Sequence, residues 1–99
     1  MNIKQIHDAQ IEKIFSKARA LDKDTKIELI AYLESAITLM EQDLQDQEPN
    51  WANLEYLKGE QARNFFESEL NGYTIGWKCD EREIIDFDKQ VISELKKGL

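Results

Sequence analysis

Apolar residues recur along this chain at helical spacing and divide it into segments. Ile11, Ile14, Phe15 and Ala18 fall at i, i+3, i+4 and i+7, and Ile3 and Ile6 extend the stripe, so residues 3–20 are predicted to form an amphipathic helix. Lys13, Lys17 and Arg19 lie towards its C-terminal end, where cations complement the helix dipole. Thr25-Lys26-Ile27-Glu28 then matches a capping box. From there Ile30, Leu33, Ile37, Met40 and Leu44 alternate spacings of three and four, the seam of bundles and coiled coils. Ile27, Leu29 and Ala36 widen that seam towards a second neighbour. The second helix is expected at 25–46, as the central and best protected element.

Pro49-Asn50 stops this helix and offers an N-cap for a third, expected at 50–71 with Trp51, Leu54, Leu57, Ala62, Phe65, Phe66 and Leu70 on its apolar face. Gly59 inside that run costs about 1 kcal/mol relative to alanine, so either the helix packs tightly there or it breaks near 58–60. Leu70-Asn71-Gly72-Tyr73 reads as a glycine C-cap.

Residues 73–79 alternate strictly between apolar and polar, which reads as a strand or an extended connector. Paired with 83–87 the strand would make a hairpin. The competing reading starts a helix at Asp80: Asp80 and Glu83 form a capping box, Cys79 and Ile84 a hydrophobic staple, and Ile84, Phe87, Val91 and Leu95 one face. Lys96-Lys97-Gly98 closes it. The helix is preferred because its start, face and stop agree. The expected fold is mainly α, a four-helix antiparallel bundle in up-down-up-down order forming a single domain over 1–99. The alternative is α+β, with a β-hairpin at about 73–87 and a short C-terminal helix.

Composition narrows the function classes. A net charge of −7 and a pI near 4.7 argue against direct binding to nucleic acid or an anionic membrane. The lone Cys79 excludes an internal disulfide and a multi-cysteine metal site. With no apolar run of signal-peptide or membrane-span length, the expected location is cytoplasmic. His7, the single histidine, is expected to be a solvated surface residue and has no partner spacing for zinc or a di-iron centre. Calcium loops, glycine-rich phosphate loops and G-x-S-x-G are absent. No catalytic residue, metal or cofactor is therefore expected.

The charge is unevenly spread. Residues 24–49 set one lysine against seven carboxylates and net −6. Glu41, Asp43, Asp46 and Glu48 lie at or beyond the C-terminal end of the second helix, where negative charge opposes the dipole. Residues that work against local stability point to function, although Lys96 and Lys97, expected at the same pole, would neutralise them. Trp51 is expected in the core. Tyr56 lies off the stripe and is expected to be an exposed ring beside the carboxylates, a composition suited to an Arg- and Lys-rich partner. Glu41, Asp43, Asp46, Glu48 and Tyr56 are thus the candidate partner-binding residues.

In size and predicted bundle the chain resembles small bacterial immunity proteins. In acidity it resembles the small inhibitors, immunity proteins and phage-encoded decoys that block nucleases or other nucleic-acid-binding proteins. These likenesses rest on gross properties and carry no residue across. They imply a small, non-enzymatic binding protein that occludes a basic surface on a protein partner. The alternative is a structural or assembly module, a homo-oligomerising bundle joined through an exposed seam.

Overall fold

Each helix begins where a side-chain oxygen takes up amides that the first turn leaves free. The structure, a computed structural model that describes residues 2–99, places helix α1 at Ile3–Ala20 and α2 at Lys23–Leu44. Helix α3 covers 60–76 as one continuous run: α-helical at Glu60–Phe65, π-helical at Phe66–Asn71, and α-helical again at Gly72–Gly76. Helix α4 spans Glu81–Lys96. Among the described residues there are no strands, so the fold is mainly α and the hairpin alternative is not supported.

Asn2 caps α1 through a reciprocal pair with Gln5, at 2.8 and 3.0 Å. Asp80 caps α4 in the expected capping box, accepting from the Glu83 amide at 2.8 Å. Helix α2 is capped three residues earlier than the sequence suggests: Asp22 Oδ1 accepts from the Thr25 amide at 2.8 Å. Thr25 and Glu28 do not form a capping box. Thr25 instead donates to Gln61 at 3.1 Å. The Glu28 carboxylate accepts from the amides of Lys58 and Gly59, the latter at 3.0 Å, and so caps α3 from outside that helix. A Cβ at 59 would lie 2.8 Å from Glu28 Oε1, so any larger residue there would oblige the flexible carboxylate to shift from its cap.

The expected helix at 50–71 is therefore corrected. Asn50 does cap, accepting from the Ala52 amide at 3.1 Å, but it closes only a 3-10 turn at Trp51–Asn53. Of the two readings of Gly59, the break is the one realised. Residues 45–59 travel back along α2: the Glu55 amide donates to Ser35 Oγ at 3.1 Å, and the next anchor is Glu28. Because α2 rises 1.5 Å per residue, the return from Leu44 to Glu28 covers roughly 24 Å. Helix α3 consequently starts beside the start of α2 and runs parallel to it, with Thr25 against Gln61 and Tyr32 edge-on to Phe66. The order is up-down-down-up, not up-down-up-down, and the long link is 45–59 rather than 73–79.

The glycine C-cap expected at Gly72 is also absent. Gly72 is right-handed and helical (φ −55°, ψ −43°), and the helix continues because Tyr73 and Thr74 are buried by it. Residues 73–79 are thus no extended connector. The helix ends at Lys78 (φ 53°), where the Lys78 amide reaches Ile75 O and the Cys79 amide reaches Thr74 O at 2.9 Å, a Schellman closure.

One core cluster joins all four helices: Ile14 and Ala18 of α1, Leu29, Leu33 and Ile37 of α2, Phe65, Leu70 and Tyr73 of α3, and Phe87, Val91 and Leu95 of α4. Helices α2 and α4 are antiparallel, as the pairs Glu41–Lys89 and Glu34–Lys96 record. Lys26, buried on α2, donates to Lys97 O at 2.8 Å and so places its charge on the negative end of α4. His7 is not free in solvent. Its Nε2 lies 2.6 Å from Tyr73 Oη, and its ring meets Trp77 edge-on.

Two predictions follow from this packing. Ile37→Ala should cost about 2–5 kcal/mol in the denaturant midpoint, the usual range for truncating a buried isoleucine. A loss below about 1 kcal/mol would mean that this seam is not enclosed. Glu28→Ala should cost about 1–3 kcal/mol through the lost charge-assisted bonds and speed amide exchange at Lys58 and Gly59. Unchanged exchange there would show that the return segment is held by other contacts.

Candidate functional site

The candidate carboxylates gather where α2 stops. After Leu44 the chain closes in a second Schellman arrangement: the Asp46 amide bonds Asp43 O at 3.2 Å and the Gln47 amide bonds Gln42 O at 3.0 Å. Asp46 occupies the left-handed position (φ 56°), which aspartate tolerates better than most side chains. The last turn of α2 contains no basic residue.

Topology decides what faces this end. Helix α4 runs antiparallel to α2, so its N-terminus arrives here and adds Asp80 and Glu81. The expected neutralisation by Lys96 and Lys97 is corrected, because both lie at the opposite pole. Lys96 approaches Glu34 at 4.0 Å, and Lys97 pairs with Glu94 at 2.6 Å. Among the described residues, Glu41 alone of the four forms an ion pair, with Lys89 at 3.5 Å. Asp43 meets another acid: partial burial and its bond with the Asp43 carboxyl hold the Glu81 carboxyl above the ordinary range. Glu48 is exposed and forms no ion pair among the described residues.

The aromatic residues divide differently from the expectation. Trp51 is 49% exposed rather than a core residue, because it belongs to the returning segment and covers only one side of the bundle. It sits close to the acidic end, lining a cavity with Met40 and Ile84. Tyr56 is 85% exposed, as expected, but it does not join the carboxylates. It follows Glu55, whose anchor Ser35 lies nine residues before the end of α2, roughly 14 Å away along the axis. The structure therefore brings Glu41, Asp43, Asp46 and Glu48 to one pole together with Asp80, Glu81 and Trp51, and leaves Tyr56 along the adjoining groove.

That groove contains a residue which sequence reasoning passed over. Between α2, α3 and α4 lies a cavity of about 190 Å³, and Asp88 lines it. Asp88 is only 5% exposed and forms no hydrogen bond or ion pair with any other described residue. Burial pushes its carboxyl up to about 7. The Tyr32 phenol is also pushed up, first by burial and second by the nearby Asp88 charge. The signal was available: Asp88 occupies the step between Ile84 and Val91, so the apolar face of α4 carries a carboxylate within its own stripe.

Among the described residues, no group of three or more His, Cys, Asp or Glu side chains is placed to hold a metal ion, and no helix is long and apolar enough to cross a membrane. Cys79 is half-buried against the core, and burial first, then Glu83 and Asp80, raise its thiol. Compared with known proteins, the chain matches no family model, and no curated protein or solved structure shows significant similarity to it.

Asp88 carries a pH prediction. Unfolded, its carboxyl ionises near pH 4, whereas folded it holds its proton up to about 7. Its protonated form thus supports folding fully below about pH 4, and that support is lost as pH rises through 7. Stability should fall by at most about 1.4 kcal/mol per pH unit as pH rises towards 7. Denaturant midpoints from pH 5 to 8 should show this decline in the native protein, and Asp88→Asn should abolish it. An equal slope in both proteins would assign the dependence to other groups.

Proposed function

We propose that this protein is a small, acidic, non-enzymatic binding protein of the cytoplasm that occludes a basic surface on a protein partner, in the manner of an inhibitor, immunity protein or nucleic-acid mimic. One observation carries the reading: the C-terminal end of α2 and the N-terminal end of α4 form an acidic pole in which Asp43, Asp46 and Glu48 form no ion pair among the described residues. At the end of α2 these charges oppose the dipole, and Asp43 stands against Glu81. Local stability gives no reason for the arrangement, whereas a basic partner does. Such a partner would neutralise the repulsion, and the directional field would accelerate encounter.

Trp51 supplies the adjoining apolar contact. Aromatic anchors beside complementary charge are typical of the residues that dominate binding energy. A nuclease or another nucleic-acid-binding protein fits this surface, because carboxylates spaced along a helix end can replace phosphates on its basic face. Direct binding to nucleic acid is disfavoured by the same charge. For the oligomeric alternative, the seam residues Leu33 and Ile37 are enclosed within the chain, while Leu44 at 41% and Ile27 at 49% are the exposed positions left to mate with a second copy.

The test is the triple variant Asp43→Asn, Asp46→Asn, Glu48→Gln, against a partner isolated by capture at low salt. Its association rate should fall, the deficit should shrink at high ionic strength, and its denaturant midpoint should hold or rise. Glu28→Ala serves as the converse control, losing stability while keeping the association rate. A triple variant that unfolds early and binds normally would make these carboxylates structural and defeat the reading.

A further inference from the structure

The cavity that Asp88 lines has the composition of a site and lacks one charge. Its walls are mostly apolar and aromatic, with Met40 from α2, Trp51 from the returning segment, Phe66 from α3 and Ile84 from α4, and Asn71 and Thr74 add polar groups from α3. A carboxylate enclosed by such walls is costly unless a cation or hydrogen-bond donors meet it. No other described side chain forms a hydrogen bond or ion pair with it. Of the nearby basic residues, Lys89 is turned to Glu41, Lys96 to Glu34 and Lys97 to Glu94, and Arg82 lines a separate groove with Glu41 and Leu44. We propose that the cavity is a binding site for a small organic amine, whose ammonium pairs with Asp88 and whose apolar body fills the space between α2, α3 and α4.

Three independent features support this occupant. The first is size: an apolar cavity of about 150 Å³ takes benzene, so the 190 Å³ here accommodates one ring or a short branched chain bearing an amine. The second is wall chemistry, since the rings of Tyr32, Trp51 and Phe66 line the cavity, and aromatic rings both attract cations through their quadrupoles and pack against an apolar body. The third is construction. The π-helical stretch Phe66–Asn71 supplies Phe66, Leu70 and Asn71 to the wall, and such stretches are frequently found at functional sites. Access is through the groove beneath Trp51, whose outer part, about 340 Å³, shares Tyr32, Trp51, Leu54 and Phe66 with the inner cavity. The net charge of −7, concentrated at the nearby acidic pole, favours the approach of a cation.

The experiment titrates 2-phenylethylamine into the isotopically labelled full chain at pH 7.5, beside 2-phenylethanol as the uncharged analogue and 3-phenylpropanoate as the anionic one. Amide and indole shifts report the site. The amine should saturate, with shifts confined to 32–40, 51–54, 66–74 and 84–88. The alcohol should bind at least tenfold more weakly and the acid should not bind. Asp88→Asn should reduce amine affinity at least tenfold without changing that of the alcohol. Ala36→Leu, which fills the cavity from α2, should abolish both. The proposal is overturned if amine and alcohol bind alike or if either variant keeps full amine affinity. It is equally overturned if the amine fails to saturate, or if its shifts spread over Asp43, Asp46 and Glu81 and vanish with added salt.

Discussion

The Glu28 carboxylate, bound to the amides of Lys58 and Gly59, fixes the direction in which the second half of the chain is laid down. Short turns between helices give antiparallel neighbours, and α1 and α2 obey that rule across residues 21–22. The link after α2 instead returns to the level of Glu28 before α3 can begin, so α3 is forced parallel to α2. Everything at the acidic pole depends on this. With α3 descending, α4 must rise, and its negatively charged N-terminus comes to lie beside the negatively charged end of α2. A conventional order would have brought the lysines of the C-terminus there.

The distribution of cations follows from the same arrangement. Lys26 covers the last carbonyls of α4, Arg19 and Lys97 share Glu94, and Lys17 holds Glu69 at 2.5 Å. All four helices are tied together through these bonds. Arg19 and Lys97 keep the Glu94 carboxyl below the ordinary range, the Lys97 hydrogen bond contributing most. Lys26, Arg19 and Lys97 are thus committed to holding helix ends in place at one pole, while Asp43, Asp46 and Glu48 collect at the other without an ion pair among the described residues. Polarity of this kind arises from topology as much as from composition.

Where local signals were self-consistent, the sequence was readable. Helix α1 and the Asp80–Glu83 start of α4 follow from caps and stripes alone, and so does the helical class of the fold. The failures share one cause, which is tertiary contact overriding local preference. Gly72 has every local feature of a helix end, yet the burial of Tyr73 and the contacts of Tyr73 with His7 and of Trp77 with Gln10 of α1 carry the helix onward. Asn50 and the apolar residues after it imitate a helix start, but Leu54 and Leu57 pack as a strap over a groove. Of the candidate site, the four carboxylates were legible because they oppose a dipole within their own helix. Their neighbours from α4 were not, since only the topology brings them together. Asp88 was visible in principle as a charge inside an apolar stripe.

The π-helical stretch makes chain length, rather than side-chain identity, the variable that shapes the groove. A π turn holds one residue more than an α turn. Removing a single residue between Phe65 and Gly72 would let the run close as an ordinary α-helix while the residues on either side keep their faces. Tyr73 would stay opposite His7 and Thr74 beside the cavity, with 60–65 still anchored at Thr25 and Glu28. A one-codon deletion would therefore alter the wall only within the turn itself, at the positions of Phe66, Leu70 and Asn71. Insertion and deletion at this turn act on the molecule as substitution acts elsewhere.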